Sequence, residues 1–437
     1  MSPGVEILFP SGVRQQAFPG VLQGLRARLH DPQALQYQAR LAILHALSDA
    51  LLSQRAGVGS GVSSMGLPFL ASFLRRVNLE KLVARELPNP RALEQFVPTE
   101  ARKSLRLLPK GVVCHWVAGN VPLLGMFSWA VSALLGNMNV IRLSMKQDDF
   151  VSPLLGLLAA LGDAGRQMAE ETVLIRFDRD NQTAHRQMSE AADVRMAWGG
   201  VEALEAIRAL PSHWECEDIV LGPRMSLAVI DPTVTTEAVV ARLATDIVYF
   251  DQLACTSPQW IFVKGHPGAV TFDAFCSQLA AAFARQALAM PRHALDYAET
   301  YQIQLDRARI LLESGTLWHD PHTQWTLAVV KQPHARVVCA NRFVQLIPFT
   351  SIDAVYCHLP RNVQTVITLL ADDEGAQFTE DAAWYGVCRF PRPGEGHHFE
   401  TPWDGIPLVS HLTRWVVRNN GRAYLPGAIG KSEFYES

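Results

Sequence analysis

Between Lys110 and Arg142 the chain runs for 31 residues without a Lys, Arg, Asp or Glu. A stretch of that length can span a bilayer, so its reading decides what kind of molecule this is. Its punctuation argues against a span. Gly119, Asn120, Pro122 and Gly125 stand near its start, and Gly136, Asn137 and Asn139 near its end. A membrane helix tolerates one or two such residues, not clusters at both ends of about 12 apolar positions. The same text reads as a strand over 111–118, a turn, a helix over 122–135, a turn and a strand over 138–143. Parallel strands buried on both faces explain the unbroken apolarity.

The alternation continues downstream, with strands over 171–177 and 193–198, a Gly199-Gly200 turn and a helix from Val201. Upstream, 20–110 reads as helical, and 33–52 carries apolar residues at helical spacing. A new section opens around 219–230. A helix over 235–248 leads into Tyr249-Phe250-Asp251-Gln252, followed by a strand over 259–264 and a helical stretch over 269–288. Short strands at 335–339 and 343–347 then alternate with helices, and the last fifty residues are expected to fold back across other elements. The expected class is α/β, an open, mostly parallel sheet with helices on both faces plus a second α/β unit. The expected divisions are 1–219, 220–400 and 401–437. No Gly/Ser-rich linker occurs near 220, so the first two should share an interface.

Composition narrows the partners. The 437 residues are 49% hydrophobic, enough for sizeable cores. Lys and Arg total 39 against 42 Asp and Glu, a net charge of −3, so neither nucleic acid nor an anionic membrane is an expected partner. Seven cysteines with no CxxC or CxxH spacing point away from a disulfide framework or structural zinc. His397, His398 and Asp404 form no ligand spacing, and no metal is expected. The first residues lack a basic region followed by an apolar core, so a cytoplasmic protein without a secretory signal is expected.

Cys255 lies in Phe250-Asp251-Gln252-Leu253-Ala254-Cys255-Thr256-Ser257-Pro258-Gln259, on a predicted loop with small polar neighbours. A catalytic thiolate needs a partly exposed, polar setting, although a free cysteine is more often a small buried hydrophobe. Asn120, at a strand-to-helix turn, can cap the helix or donate a hydrogen bond to an oxyanion at the strand ends. Gly199-Gly200 can present backbone N–H groups to a phosphate or form an ordinary tight turn, and it is not a GxGxxG. Arg142, with Ser144 and Lys146 after it, can meet a ribose or a 2′-phosphate, or end a strand in solvent.

Together these segments resemble the aldehyde dehydrogenase superfamily and, within it, the acyl-CoA reductases of bacterial bioluminescence, the Lux type. The matching text is His115-Trp116-Val117-Ala118-Gly119-Asn120-Val121-Pro122, Leu134-Leu135-Gly136-Asn137 through Arg142-Leu143-Ser144, and Ala197-Trp198-Gly199-Gly200. The Cys255 segment, Gln364-Thr365-Val366 and Pro402-Trp403-Asp404-Gly405 extend it. The resemblance implies that Cys255 is the nucleophile and Asn120 the oxyanion donor. It also implies that Trp116, Arg142, Ser144, Gly199 and Gly200 face a nicotinamide dinucleotide. Arg142 stands where the family has Lys. Hydrolytic relatives carry a water-activating Glu where this chain has Val220, within Ile219-Val220-Leu221-Gly222-Pro223-Arg224.

The implied reaction is reduction of an acyl-CoA, or another acyl thioester, to the aldehyde through an acyl-cysteine. NADPH is the expected cofactor, with NADH possible, because a guanidinium suits a 2′-phosphate. An acyl-activating enzyme is a candidate partner, and a homo-oligomer is expected from the resemblance. A CoA-acylating aldehyde dehydrogenase, an acyl-phosphate reductase and a non-catalytic partner subunit stay open as alternatives.

Overall fold

The uncharged stretch folds as a strand, a helix and a second strand, all enclosed by protein. The computed structural model describes residues 4–10, 17–31, 33–53, 62–100, 103–117, 123–145, 149–334 and 340–420. Within it the helix Leu123–Leu134 joins two parallel, buried strands. Met126, Phe127, Trp129, Val131 and Leu134 are all buried. One side of the helix meets the sheet, and another meets the helices Tyr37–Ser53 and Val62–Phe73. A helix apolar all round thus finds protein all round. Among the described residues no helix is long and apolar enough to cross a membrane. The punctuation has structural work: Gly136 sits at φ 88°. The Asn137 side chain accepts from the Gly111 N–H at 2.9 Å and donates to the Leu412 carbonyl at 3.0 Å.

In chain order the strands are β1 (Glu6–Phe9), β2 (Val97–Glu100), β3 (Lys103–Pro109), β4 (Val112–Trp116), β5 (Met138–Leu143), β6 (Thr172–Arg176), β7 (Val194–Trp198) and β8 (Glu217–Leu221). There follow β9 (Met225–Ile230), β10 (Pro258–Lys264), β11 (Thr316–His319), β12 (Thr326–Val329), β13 (Phe343–Phe349), β14 (Val363–Leu369) and β15 (Thr413–Asn419). The first sheet has the order β1-β6-β5-β4-β7-β8 and is parallel except for β1 at its edge. Strands are added outward from β4 in both directions, so the winding reverses between β4 and β7. That is the doubly wound arrangement in which ligands meet the carboxyl ends of the strands.

The second sheet, β11-β12-β13-β10-β9-β14, is parallel except for β11. The helices Glu237–Val248 and Val270–Ala289 pack on each other and feed its core with Leu243, Ile247, Phe275 and Phe283. The first of them is capped where the Thr236 hydroxyl accepts from the Val239 N–H. The chain crosses from one sheet to the other between Leu221 and Met225.

Two readings need correction or restriction. The helical reading of 20–110 fails at 97–109, where β2 and β3 form a small antiparallel sheet with β15. Thr413 pairs with Pro109 and Asn419 with Lys103, so the partner that makes β3 a strand lies some 300 residues onward. The strand expected at 335–339 lies outside the described residues.

Candidate functional site

A cavity of ≈ 480 Å³ opens at the carboxyl ends of β4, β5 and β7, where the winding reverses. Trp116, Arg142, Ser144, Gly199 and Gly200 all line it, together with Trp198, His185, Arg179 and Glu202. Gly200 precedes the helix Val201–Arg208, and a Cβ placed there would meet nothing within 4 Å. The backbone at this helix start is therefore open to a ligand, and its first N–H groups have no partner within the helix. The Arg142 Nη2 donates to the Phe177 carbonyl at 3.0 Å, and the guanidinium lies 5.1 Å from the Phe177 ring. Its Nε is buried and has no hydrogen-bond partner among the described residues. Lys146 lies outside the described residues.

His185 was not legible as a site residue, because nothing in its local sequence marks it. It reaches the cavity only because the helix Gln182–Glu190 packs over the end of β4. The Trp116 indole donates to His185 Nδ1 at 3.0 Å with the two rings nearly parallel. Burial, helped by the Arg142 charge, pushes the His185 pKa down to about 4. Its ring is neutral at pH 7.

The loop bearing Cys255 is held by unusual means. After the helix Glu237–Val248 the chain passes through Phe250 (φ 54°), Asp251 (φ 51°) and Gln252 (φ 64°), three successive non-glycine residues in the left-handed region. Such conformations persist only where surrounding contacts impose them. Asp251, 1% exposed, accepts from Arg342 Nε at 2.9 Å and from His293 Nδ1 at 2.5 Å. Gln252 Nε2 donates to the Pro258 carbonyl at 2.8 Å, and the Ser226 hydroxyl donates to the Cys255 carbonyl at 2.6 Å.

Thr256 and His397 are 2.7 Å apart at Oγ1 and Nδ1, and His397 Nε2 lies 2.7 Å from the Asp246 carbonyl. A carbonyl can only accept, so Nε2 carries the proton and Nδ1 accepts from the Thr256 hydroxyl. Burial keeps His397 neutral, with its pKa down to about 4. His397 consequently has no lone pair left for Cys255.

The sulfur itself departs from expectation. Cys255 is half-buried, as a nucleophile on a loop should be. Yet burial, and then the charge of Asp404, push its thiol up to about 12 against the opposing pull of Arg389 and Arg224. The resting group is S–H, not the readily formed thiolate that the polar flanking residues suggested. Asn120 lies outside the described residues. Val220 is half-buried on β8, paired with Ala197, and brings no carboxylate. A second cleft of ≈ 390 Å³ adjoins His397, walled by Phe69, Phe73, Phe127 and Phe399 and rimmed by Lys81, Arg85 and Glu400.

A family model described as acyl-CoA reductase (LuxC) matches residues 33–415. The chain belongs to the acyl-CoA reductase (LuxC) family. Long-chain acyl-protein thioester reductase 2 of Photobacterium leiognathi is 30% identical to it over 359 residues, spanning 79% of this chain and 72% of that protein. Long-chain acyl-protein thioester reductase of Aliivibrio fischeri is 24% identical over 351 residues, with 77% and 70% covered. Among solved structures, a putative aldehyde dehydrogenase from Burkholderia cenocepacia superposes with a TM-score of 0.67 at 13% identity, covering 92% of this chain and 91% of that one. Betaine aldehyde dehydrogenase from Staphylococcus aureus gives 0.65 at 12% identity, with 94% and 89% covered. This LuxC-family chain therefore has the aldehyde dehydrogenase-like fold that the sequence led us to expect.

Proposed function

We propose that this LuxC-family chain reduces an acyl thioester to the aldehyde through an acyl-Cys255 intermediate, with NADPH preferred over NADH. One observation carries the reading. The molecule combines a cysteine on a tightly held loop with a glycine-lined cavity at the reversal point of a doubly wound sheet. Relatives named long-chain acyl-protein thioester reductases support a thioester as the substrate class, delivered on CoA or on the thiol of an acyl-activating partner. The four phenylalanines in the cleft beside His397 offer an acyl chain an apolar wall, although Lys81, Arg85, Glu400 and other polar side chains line the rest of it.

The cavity residues fit a nicotinamide dinucleotide. The open backbone at Gly199-Gly200 suits a pyrophosphate, and Arg142 with Ser144 at the end of β5 suits the adenosine ribose. A reduced nicotinamide bound there supplies hydride to the substrate carbon. The chain's own residues do the rest. The Cys255 sulfur attacks the thioester carbonyl, Asn120 donates to the developing oxyanion, and the donor thiol leaves. With Val220 in place of a carboxylate, water attack on the acyl-cysteine is slow, and the acyl group stays available for reduction. The C–S bond to Cys255 then breaks and the aldehyde departs.

Single-turnover incubation with a panel of acyl-CoAs, read by intact mass, tests the reading. An acyl adduct should form and should discharge as aldehyde when NADPH is added. Absence of any adduct with both acyl-CoA and acyl-protein donors would overturn it. Asn120→Ala should lower turnover by about a hundredfold, the usual loss for one oxyanion donor. If turnover holds and only the melting temperature falls, Asn120 serves as a helix cap.

Arg142→Ala should raise the KM for NADPH by roughly tenfold to a hundredfold and leave that for NADH nearly unchanged, since only NADPH offers a phosphate to the guanidinium. Equal losses for both cofactors would mean that Arg142 acts through its contacts with Phe177.

A further inference from the structure

We propose that Asp246 is a positioning residue for acylation: it holds the segment 394–397 so that His397 fixes Thr256, and with it the turn that carries Cys255. The proposal rests on Cys255 being the acylated residue. Asp246 is 2% exposed in the last turn of the helix Glu237–Val248, yet it forms no ion pair among the described residues. Burying a carboxylate without a paired cation costs stability, so its presence there calls for another reason.

Its hydrogen bonds supply that reason. The Gly394 N–H donates to Oδ2 at 2.6 Å and the Gly396 N–H to Oδ1 at 3.2 Å, so one carboxylate grips two alternate residues of the chain. Both positions suit glycine. Gly394 has φ 95°, and a Cβ on it would come within 3.0 Å of the Arg242 side chain. A Cβ on Gly396 would press on the Asp246 carboxyl at 3.3 Å. Arg389 donates to the Gly396 carbonyl at 3.3 Å and to the His398 carbonyl at 2.8 Å. The segment is thus held by its N–H groups through Asp246 and by its carbonyls through Arg389.

His397 sits inside this clamp. Its Nε2 donates to the Asp246 backbone carbonyl at 2.7 Å, and its Nδ1 accepts from the Thr256 hydroxyl at 2.7 Å. Cys255 and Thr256 are the central residues of a turn closed by the Ser257 N–H on the Ala254 carbonyl at 3.0 Å. Ser226 anchors this turn at the Cys255 carbonyl, and His397 anchors it at the Thr256 side chain. Two anchors on adjacent residues set the turn, and an error of about 1 Å in the place of a reacting group can cost on the order of a hundredfold in rate.

The charged and titratable groups around Asp246 are Glu395 and His397 on the segment it holds, Arg389 beside them, and Arg242 against Gly394. Burial pushes the Asp246 carboxyl up to about 7, with the two backbone bonds opposing. Above that pH both oxygens accept. Below it one oxygen carries a proton, and the grip on a backbone N–H weakens. His397 stays neutral through this range, its own pKa being down at about 4. Since the folded-state value of Asp246 lies above that of an ordinary aspartate, ionisation lowers stability as pH rises from about 4 through 7. The same ionisation tightens the grip. Positioning and stability therefore respond to pH in opposite directions.

The test is the rate of acyl transfer from acyl-CoA to the full-length protein across pH, read by intact mass, with the acylated residue mapped by peptide. Asp246→Asn keeps the size and resembles the protonated state. The ratio of the wild-type rate to the Asp246→Asn rate cancels the rise that both share as the thiol ionises. It should climb through an inflection near pH 7 to a plateau of roughly tenfold to a hundredfold. Thr256→Val cuts the link beyond His397, so Asp246→Asn should cost little more in that background, whereas Thr256→Ser keeps the hydroxyl and should keep the rate. A ratio flat with pH overturns the proposal, and so does an Asp246→Asn effect as large in the Thr256→Val background as in wild type. If Asp246→Asn does not fold, the ratio of wild type to Thr256→Val should show the same inflection, and its absence is equally fatal. An acyl group on Cys255 with a flat ratio sinks only the role of Asp246, whereas acylation elsewhere sinks Cys255 as nucleophile.

Discussion

Cys255→Ala should abolish both the acyl-enzyme and aldehyde formation while leaving dinucleotide binding nearly intact. The expected loss in turnover is on the order of 10⁴-fold or more, because removing a covalent nucleophile removes the whole two-step route. Cofactor affinity should hold because none of the residues lining the first-sheet cavity belongs to the Cys255 loop. The other cysteines are poor substitutes. Cys114 is fully buried on β4 with its thiol pushed well above the usual value, and burial holds Cys276 near 12 and Cys216 near 11. Among the described cysteines Cys388 and Cys357 are the rivals, both being exposed, and Cys388 is under the influence of the same Arg224 and Asp404. Intact mass of the variant after incubation with acyl-CoA decides the matter. A stable adduct mapped to Cys388 or Cys357 would show that another cysteine is the nucleophile.

The parts of the fold that were legible in the sequence are those whose signals are local. Strands β4 to β7 and the helices between them announce themselves by period and by glycine or asparagine at their ends, because parallel strands buried on both faces must be continuously apolar. The cavity at their carboxyl ends follows from the same local text, since Trp116, Arg142 and Gly199 each end a strand. What failed was non-local. Lys103–Pro109 is half exposed and becomes a strand only against β15, so no window of sequence around it contains the reason. The neighbours of Cys255 are hidden in the same way. Its flanking residues suggested a polar, reactive setting, but its acidity is set first by burial and then by charges such as Asp404 and Arg389, which arrive from far along the chain. The left-handed run at Phe250, Asp251 and Gln252 was also invisible, since none is a glycine that would signal positive φ.

That run makes the last prediction the most demanding on stability. Asp251 and Arg342 are 1% and 0% exposed, with Arg342 Nη2 2.6 Å from the carboxylate. Asp251→Asn preserves shape and tolerance for the left-handed backbone but leaves the Arg342 charge buried without its partner. The expected loss is about 3–5 kcal/mol in the free energy of unfolding, measured by urea denaturation. Adding Arg342→Met removes the stranded charge, so the double variant should be more stable than Asp251→Asn alone, a clear departure from additivity. Acylation at Cys255 should nonetheless stay impaired in the double variant. The carboxylate bonds to Arg342 and His293 are what hold Asp251 in its left-handed conformation four residues before the sulfur. Recovery of stability without recovery of acylation would assign the pair to shaping the loop. If Asp251→Asn unfolds no more easily than wild type, the buried pair is not what holds the run in place. If the double variant acylates normally, the Cys255 loop keeps its geometry without the pair.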